Sequence, residues 1–208
     1  MHFRNFCFGS DQANEKKSTE FKFLSYNLRL FDIYNEDEKA GQSNRKQIIE
    51  YLKRKNADVY CFQEFYHCDT REDERLKEIL SDTLSASYVH SRMVRDDQRK
   101  REFGVVMMSK YKMIRKGEVS FGEIHKTNNF CIYADIVKFK DTLRVYNVHL
   151  QSIQLIQEDF NLVDTEGYSV QTSLFSKLLD AYPVRAEQAK RVAPVSYTHL
   201  TLPTNREV

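Results

Sequence analysis

An excess of charge of one sign is what this sequence lacks most plainly. Its 32 Lys and Arg residues nearly balance 30 Asp and Glu, leaving a formal net charge of +2 over 208 residues. A chain so balanced carries no general field for a polyanion, so any grip on phosphate must come from local sites. Cysteine is also scarce. Cys7, Cys61, Cys68 and Cys131 show no pairing framework, and Cys61 and Cys68 are too far apart for a Cys-x-x-Cys metal or redox knuckle. Cys61 and Cys131 lie inside apolar runs, where a thiol serves as a small core residue, and reduced core thiols favour a reducing compartment. No stretch approaches the ~20 apolar residues that a membrane span needs. The opening Met1–Gly9 segment is too short and too interrupted for the apolar core of a leader. There is no internal repeat.

What is present suits one domain with a sizeable core under a charged surface: 41% of residues are hydrophobic and 30% charged. Residues 10–20 show no apolar periodicity and read as a solvated linker, so 1–20 is expected to be a flexible segment. Phe21 to Phe31 reads as a strand entering a core. Asn44 to Lys55 reads as a helix with Ile48, Ile49 and Leu52 on one face, and Ala57 to Gln63 as a short buried strand. Glu72 to Leu84 is helical again. Strands then follow at Phe103–Ser109, Phe130–Phe139 and Leu143–Leu150, the last two joined by a turn at Lys140–Thr142. From about Val170 to Ala193 the pattern is helical, with Pro183 expected to kink or split the segment. The order of elements suggests an α/β protein with sheets in the middle and helices outside.

Several polar residues stand where apolar ones are due. Asn27 interrupts Leu24–Leu30, Gln63 and Glu64 end a buried strand, and Asn147 and His149 alternate with Tyr146, Val148 and Leu150 on one strand face. Buried carboxylate, amide and imidazole groups are costly without partners. A bound cation with its phosphate ligand would supply them. Asn and Glu oxygens are hard donors suited to Mg²⁺ or Mn²⁺, whereas zinc would draw more His and Cys.

In this order, Ser25-Tyr-Asn27, Ala57 to Glu64, Phe103 to Lys110 and Val145 to Leu150 closely resemble the endonuclease/exonuclease/phosphatase superfamily. The resemblance runs from about Phe21 to Ala193, and Leu28–Asp32, Gln63–Tyr66 and Asn128–Tyr133 look like a bacterial branch of it. It implies a four-layer α/β sandwich, two packed mixed β-sheets flanked by helices, here incomplete at the C-terminus. It implies a hydrolase of phosphodiester or phosphomonoester bonds dependent on Mg²⁺ or Mn²⁺. Carried over residue by residue, Asn27 binds metal or phosphate and Glu64 ligates the cation. His149 helps bind the scissile phosphate or protonate around it, and Asn147 orients that strand end or the phosphate. Ser109 and Lys110 match a largely structural pair.

The superfamily completes its site with a Gly-Asp-Phe-Asn strand end and a terminal Asp-His pair. Neither occurs after Leu150, where the only histidine is His199. Residues 194–208 resemble a translated adapter, so 21–193 is expected to be a partial domain followed by a non-native tail. Such a piece is expected to expose sheet edges and to be unstable and inactive by itself. The implied partner is a phosphate-ester substrate, with nucleic acid, lipid and inositol phosphates as candidates. No stable protein partner is implied, and the complete domain is expected to be a monomer. A bacterial cytoplasmic setting is expected, free or behind an upstream membrane anchor of the kind relatives in that branch carry. The basic run Arg92–Arg101 is a candidate approach loop for nucleic acid, and equally a solvated loop. A non-catalytic binding module on the same fold is the reading from a different class.

Overall fold

The apolar run after Phe21 becomes strand β1 (Phe23–Asn27), with Leu24 and Tyr26 turned to one core and Ser25 and Asn27 to the opposite face. The computed structural model describes residues 21–35, 37–122, 129–153 and 169–197. The expected flexible segment 1–20 and the end of the expected tail, 198–208 with His199, lie outside those residues.

A tight turn over Arg29–Asp32 follows β1, and all four of its residues have positive φ. Left-handed backbone costs a non-glycine residue about 1–2 kcal/mol, so the surroundings must impose it. Phe31 is fully buried, edge-on to Phe65 at 5.5 Å, and the Asp32 carboxylate accepts from Asn35 and Asn44 at 2.7 Å each. Helix α1 (Glu38–Lys55) starts six residues before the apolar periodicity does. Asp37 sets its start, accepting from the backbone N–H groups of Lys39 and Ala40 at 3.0 and 3.2 Å. Such a cap contributes about 1 kcal/mol.

Strand β2 (Val59–Cys68) lies parallel to β1 and runs five residues past the expected end. A 3-10 turn (Glu72–Glu74) and helix α2 (Leu76–Thr83) divide what the sequence presents as one helix. Strands β3 (Tyr88–Asp96) and β4 (Arg101–Ser109) then form a hairpin, so the basic run Arg92–Arg101 is the end of one strand, a turn and the start of the next. Gly104 is required there. A Cβ on it would lie 2.1 Å from the Arg92 carbonyl oxygen. The first sheet is mixed, in the order β1-β2-β4-β3.

Strands β5 (Met113–Val119), β6 (Phe130–Lys138) and β7 (Asp141–His149) form a second, antiparallel sheet in chain order. The β6–β7 turn is the pair Phe139–Lys140, one residue earlier than expected, and Phe139 takes the left-handed conformation. Val59, Cys61, Val105 and Met107 of the first sheet pack against Ile132, Ala134 and Ile136 of the second. On the other face of the first sheet, Tyr60, Phe62, Val106 and Met108 join a core with Leu52 of α1 and Leu76 and Leu80 of α2. Each fully buried side chain of this size contributes roughly 1.5–3 kcal/mol.

Helix α3 (Ser169–Tyr197) packs on the outer face of the second sheet, where the Tyr146 hydroxyl donates to the Val195 carbonyl at 2.8 Å. The layers are therefore helix, sheet, sheet, helix, as expected. Pro183 does not split α3, which also runs on through the 193/194 boundary. Pro183 lies on the exposed side of the helix. None of the described helices is long and apolar enough to cross a membrane. Among the described residues the outer edge of β1 has no strand partner, and a groove of about 1100 Å³ runs beside it, lined in part by Tyr26, Ile48 and Tyr51.

Candidate active site

The polar pair Gln63–Glu64 does not end a strand; it forms a bulge inside one. Phe62 pairs with Val106 and Phe65 with Gly104, so two residues of β2 face only Val105 of β4. Regular alternation would send Gln63 and Glu64 to opposite faces. The bulge, with Glu64 at φ 48°, instead brings both to the wall of one cavity at the open end of the sandwich. A positive φ at a non-glycine residue costs of order 1–3 kcal/mol and persists where the surroundings over-determine it. Here Phe62 and Phe65 anchor the bulge from both sides in the helix-facing core.

That cavity measures about 550 Å³ and is lined by Asn27 from the end of β1, Glu64 from β2, His149 from the end of β7 and Arg185 from α3, among others. Asn27 donates from Nδ2 to Glu64 Oε1 at 2.9 Å, while its Oδ1 accepts the Arg29 backbone N–H at 2.9 Å. Its oxygen keeps a second lone pair and its amide a second N–H. Asn27 is expected on metal or on phosphate, and this orientation serves either. His149 Nε2 stands 3.6 Å from Glu64 Oε1. That is at the long limit of hydrogen-bond contact. His149 first, and the Asn27 amide after it, hold the Glu64 carboxyl below the usual carboxylate range, against partial burial that raises it.

Asn147 is not part of the cavity wall. It is 1% exposed, and every polar atom of its side chain is spent on the frame. Nδ2 donates to the carbonyls of Phe62 and Val106 at 2.9 Å each, and Oδ1 accepts from Gln63 Nε2 at 2.7 Å. It ties β7 of the second sheet to β2 and β4 of the first, one residue before the bulge. Gln63 also reaches Ser25 Oγ at 3.2 Å, which links β1 to the same network. Ser109 is fully buried, its Oγ accepting the Tyr111 backbone N–H at 3.0 Å, while Lys110 bonds Asn56. Both act in the frame, as the resemblance implied.

Arg185 carries no signal in the sequence analysis, because an arginine on a helix is an ordinary surface residue. Arg185 and Gln188 share a helix face at i and i+3, and only the packing of α3 shows where that face points. The basic run Arg92–Arg101 is paired in part by local carboxylates. Arg92 pairs with Glu118 at 3.1 Å, and Arg95 with Asp97, Glu102 and Asp69 at 3.0–3.2 Å. Cys61, Cys68 and Cys131 are buried and form no disulfide, and burial pushes the Cys61 and Cys131 thiols up to about 12. Among the described residues no three His, Cys, Asp or Glu side chains gather to hold a metal ion.

No protein-family model and no curated protein matches the chain. Solved structures do. The fold aligns with that of SmcL at a TM-score of 0.53 and 17% identity, covering 88% of this chain and 59% of that one. Endonuclease/exonuclease/phosphatase proteins from Leptotrichia buccalis and Beutenbergia cavernae align more loosely. The first has a TM-score of 0.46 and 14% identity over 78% of this chain and 74% of that one. The second has a TM-score of 0.49 and 12% identity over 70% and 44%. The chain spans less than two thirds of the length of two of these three. Two packed sheets flanked by helices, in this order and with the likeness to SmcL, give the chain the deoxyribonuclease I-like fold.

Proposed function

We propose that this chain carries the cation- and phosphate-binding side of a phosphoesterase site that acts on phosphodiester or phosphomonoester bonds with Mg²⁺ or Mn²⁺. One observation carries the reading: Asn27, Glu64 and His149, from three strands of both sheets, meet at one cavity. A carboxylate beside two groups able to donate to an anion is self-defeating for phosphate alone, since phosphate and Glu64 would repel. A divalent cation between them resolves the conflict. The donor set fits such a cation, because Mg²⁺ keeps several of its waters and takes only one or two carboxylates.

When bound, the cation would neutralise charge on a non-bridging oxygen and lower the pKa of a water. The protein's own part is distinct. Glu64 stays ionised at neutral pH, held so by its neighbours, and is the cation's anchor. Asn27 fixes the carboxylate and turns its second N–H toward a phosphate oxygen. His149, with Nε2 directed into the same space, hydrogen-bonds the phosphoryl group or hands a proton to the leaving oxygen. Gln63 and Asn147 hold this geometry from behind.

The test is hydrolysis in a chain that also carries the Gly-Asp-Phe-Asn and Asp-His elements, neither of which occurs in these 208 residues. Plasmid DNA, RNA, bis-(p-nitrophenyl) phosphate and phosphoinositides would be compared with Mg²⁺, Mn²⁺ or EDTA. Cation-dependent cleavage, lost in Glu64→Ala, supports the reading. Turnover that ignores the cation or survives Glu64→Ala overturns it. The local pairing of Arg92 and Arg95 weakens that run as support for nucleic acid over lipid or inositol phosphates.

A further inference from the structure

We infer that Arg185 is a phosphate-binding residue of this site, reaching it from α3 and held in place by a two-point clamp on the backbone of Gln151. The inference rests on the phosphoesterase reading and extends it to a residue that neither strand motif contains. Arg185 lines the same cavity as Asn27, Glu64 and His149, and of the residues that wall it Arg185 alone is a permanent cation. Among the described residues it has no carboxylate in ion-pair range, unlike Arg92, Arg95 and Arg144, which all do.

Its position is set by the frame. Nη1 donates to the Gln151 carbonyl at 2.7 Å, and one helical turn on, Gln188 Oε1 accepts the Gln151 N–H at 2.9 Å. Gln188 is fully buried. Both backbone groups of Gln151, two residues after His149, are thereby fixed to α3. One donor of the guanidinium is spent on this clamp. The other N–H groups of its planar fork remain for the non-bridging oxygens of a phosphate, the geometry that arginine recognises best.

Charge gives the same result. A phosphomonoester dianion together with Glu64 brings three negative charges into one cavity, and a divalent cation removes two. Arg185 removes the third. The inference is therefore specific about substrate class: Arg185 matters more for a dianionic terminal phosphate than for a monoanionic diester.

Calorimetric titration of the full chain with Mn²⁺ alone, then with inorganic phosphate and with dimethyl phosphate in the presence of Mn²⁺, tests it. Arg185→Gln is expected to leave Mn²⁺ affinity within about twofold and to weaken phosphate at least tenfold, with a smaller loss for dimethyl phosphate. Arg185→Lys keeps the charge and a donor for Gln151 but loses the fork, and is expected to fall between. Equal phosphate affinity in wild type and Arg185→Gln overturns the assignment while leaving the phosphoesterase reading intact. Parallel loss of Mn²⁺ affinity, phosphate affinity and urea midpoint in both variants overturns it too, since it reduces Arg185 to a scaffold residue. A wild-type chain that binds neither Mn²⁺ nor phosphate refutes the phosphoesterase reading itself.

Discussion

Replacing Asn147 by Ala removes a side chain that joins both sheets behind the site. Three hydrogen bonds disappear, two to the Phe62 and Val106 carbonyls and one from Gln63 Nε2. The site of the loss is closed to water, since Asn147 is 1% exposed. Each bond contributes about 1 kcal/mol net, and a buried group left unpaired costs more. The Gln63 amide keeps the weaker contacts to Ser25 Oγ and the Cys61 carbonyl, which trims the cost. The sum is about 3 kcal/mol, a large share of the 5–15 kcal/mol that holds an ordinary domain folded. Urea unfolding followed by far-UV circular dichroism should show a midpoint lower by roughly 1–2 M, taking ~2 kcal/mol/M as the slope. Asn147→Asp adds a test of sign. A carboxylate facing two carbonyl oxygens has its folded pKa raised, so the folded state holds the proton more tightly than the unfolded chain. Its stability relative to wild type should fall as pH rises past the ordinary carboxylate range and recover in acid. An Asn147→Ala midpoint within about 0.3 M of wild type, or an Asn147→Asp penalty that does not change with pH, would refute the reasoning.

The Glu64 carboxyl lies below its ordinary range because of His149 and Asn27, so Mn²⁺ affinity should stay level from neutral pH down through the usual carboxylate range and drop only below it. In His149→Ala that drop should begin at higher pH, and a titration showing no displacement would contradict the role given to His149. Lys138 is 6% exposed among Phe21, Tyr111 and Phe139 and pairs with Asp58 at 2.8 Å. Asp58→Asn removes the countercharge and leaves Lys138 the Tyr111 hydroxyl and the ring faces, and should cost about 3 kcal/mol in urea unfolding, while Lys138→Met should cost clearly less; equal losses would argue against a cost of charge burial. Gly104→Ala drives a Cβ into the Arg92 carbonyl, 2.1 Å away, so the β3–β4 hairpin must separate. Loss of amide-exchange protection across both strands is expected, and native protection would show that the backbone yields cheaply.

What the sequence made legible was polarity out of place. Asn27, Glu64 and His149 stood out because each interrupts an apolar run, and the structure brings all three to one cavity. The bulge was not legible, since it exists only in the register between β2 and β4, two strands separated by some forty residues. For the same reason Glu64 was read at a strand end when it sits inside a longer strand. Asn147 and His149 look equivalent in sequence, two residues apart on one face. One lies between the sheets and the other at their open end, so the first is consumed by the frame and only the second meets the cavity. Strands β3 and β5 escaped notice because each carries charged residues along a largely exposed face, which erases the apolar alternation. The α/β class, with sheets inside and helices outside, could be anticipated from the alternation of helical and strand periodicity, while the four-layer sandwich was implied by the resemblance.

The central claim, that Glu64 anchors a divalent cation beside a phosphate, is tested most directly by calorimetric titration of the chain with Mn²⁺, in wild type and in Glu64→Gln. One Mn²⁺ site displaced by Mg²⁺, weakened at least tenfold by Glu64→Gln while the urea midpoint stays unchanged, is the result predicted. Mn²⁺ binding equally tight in both proteins would contradict it.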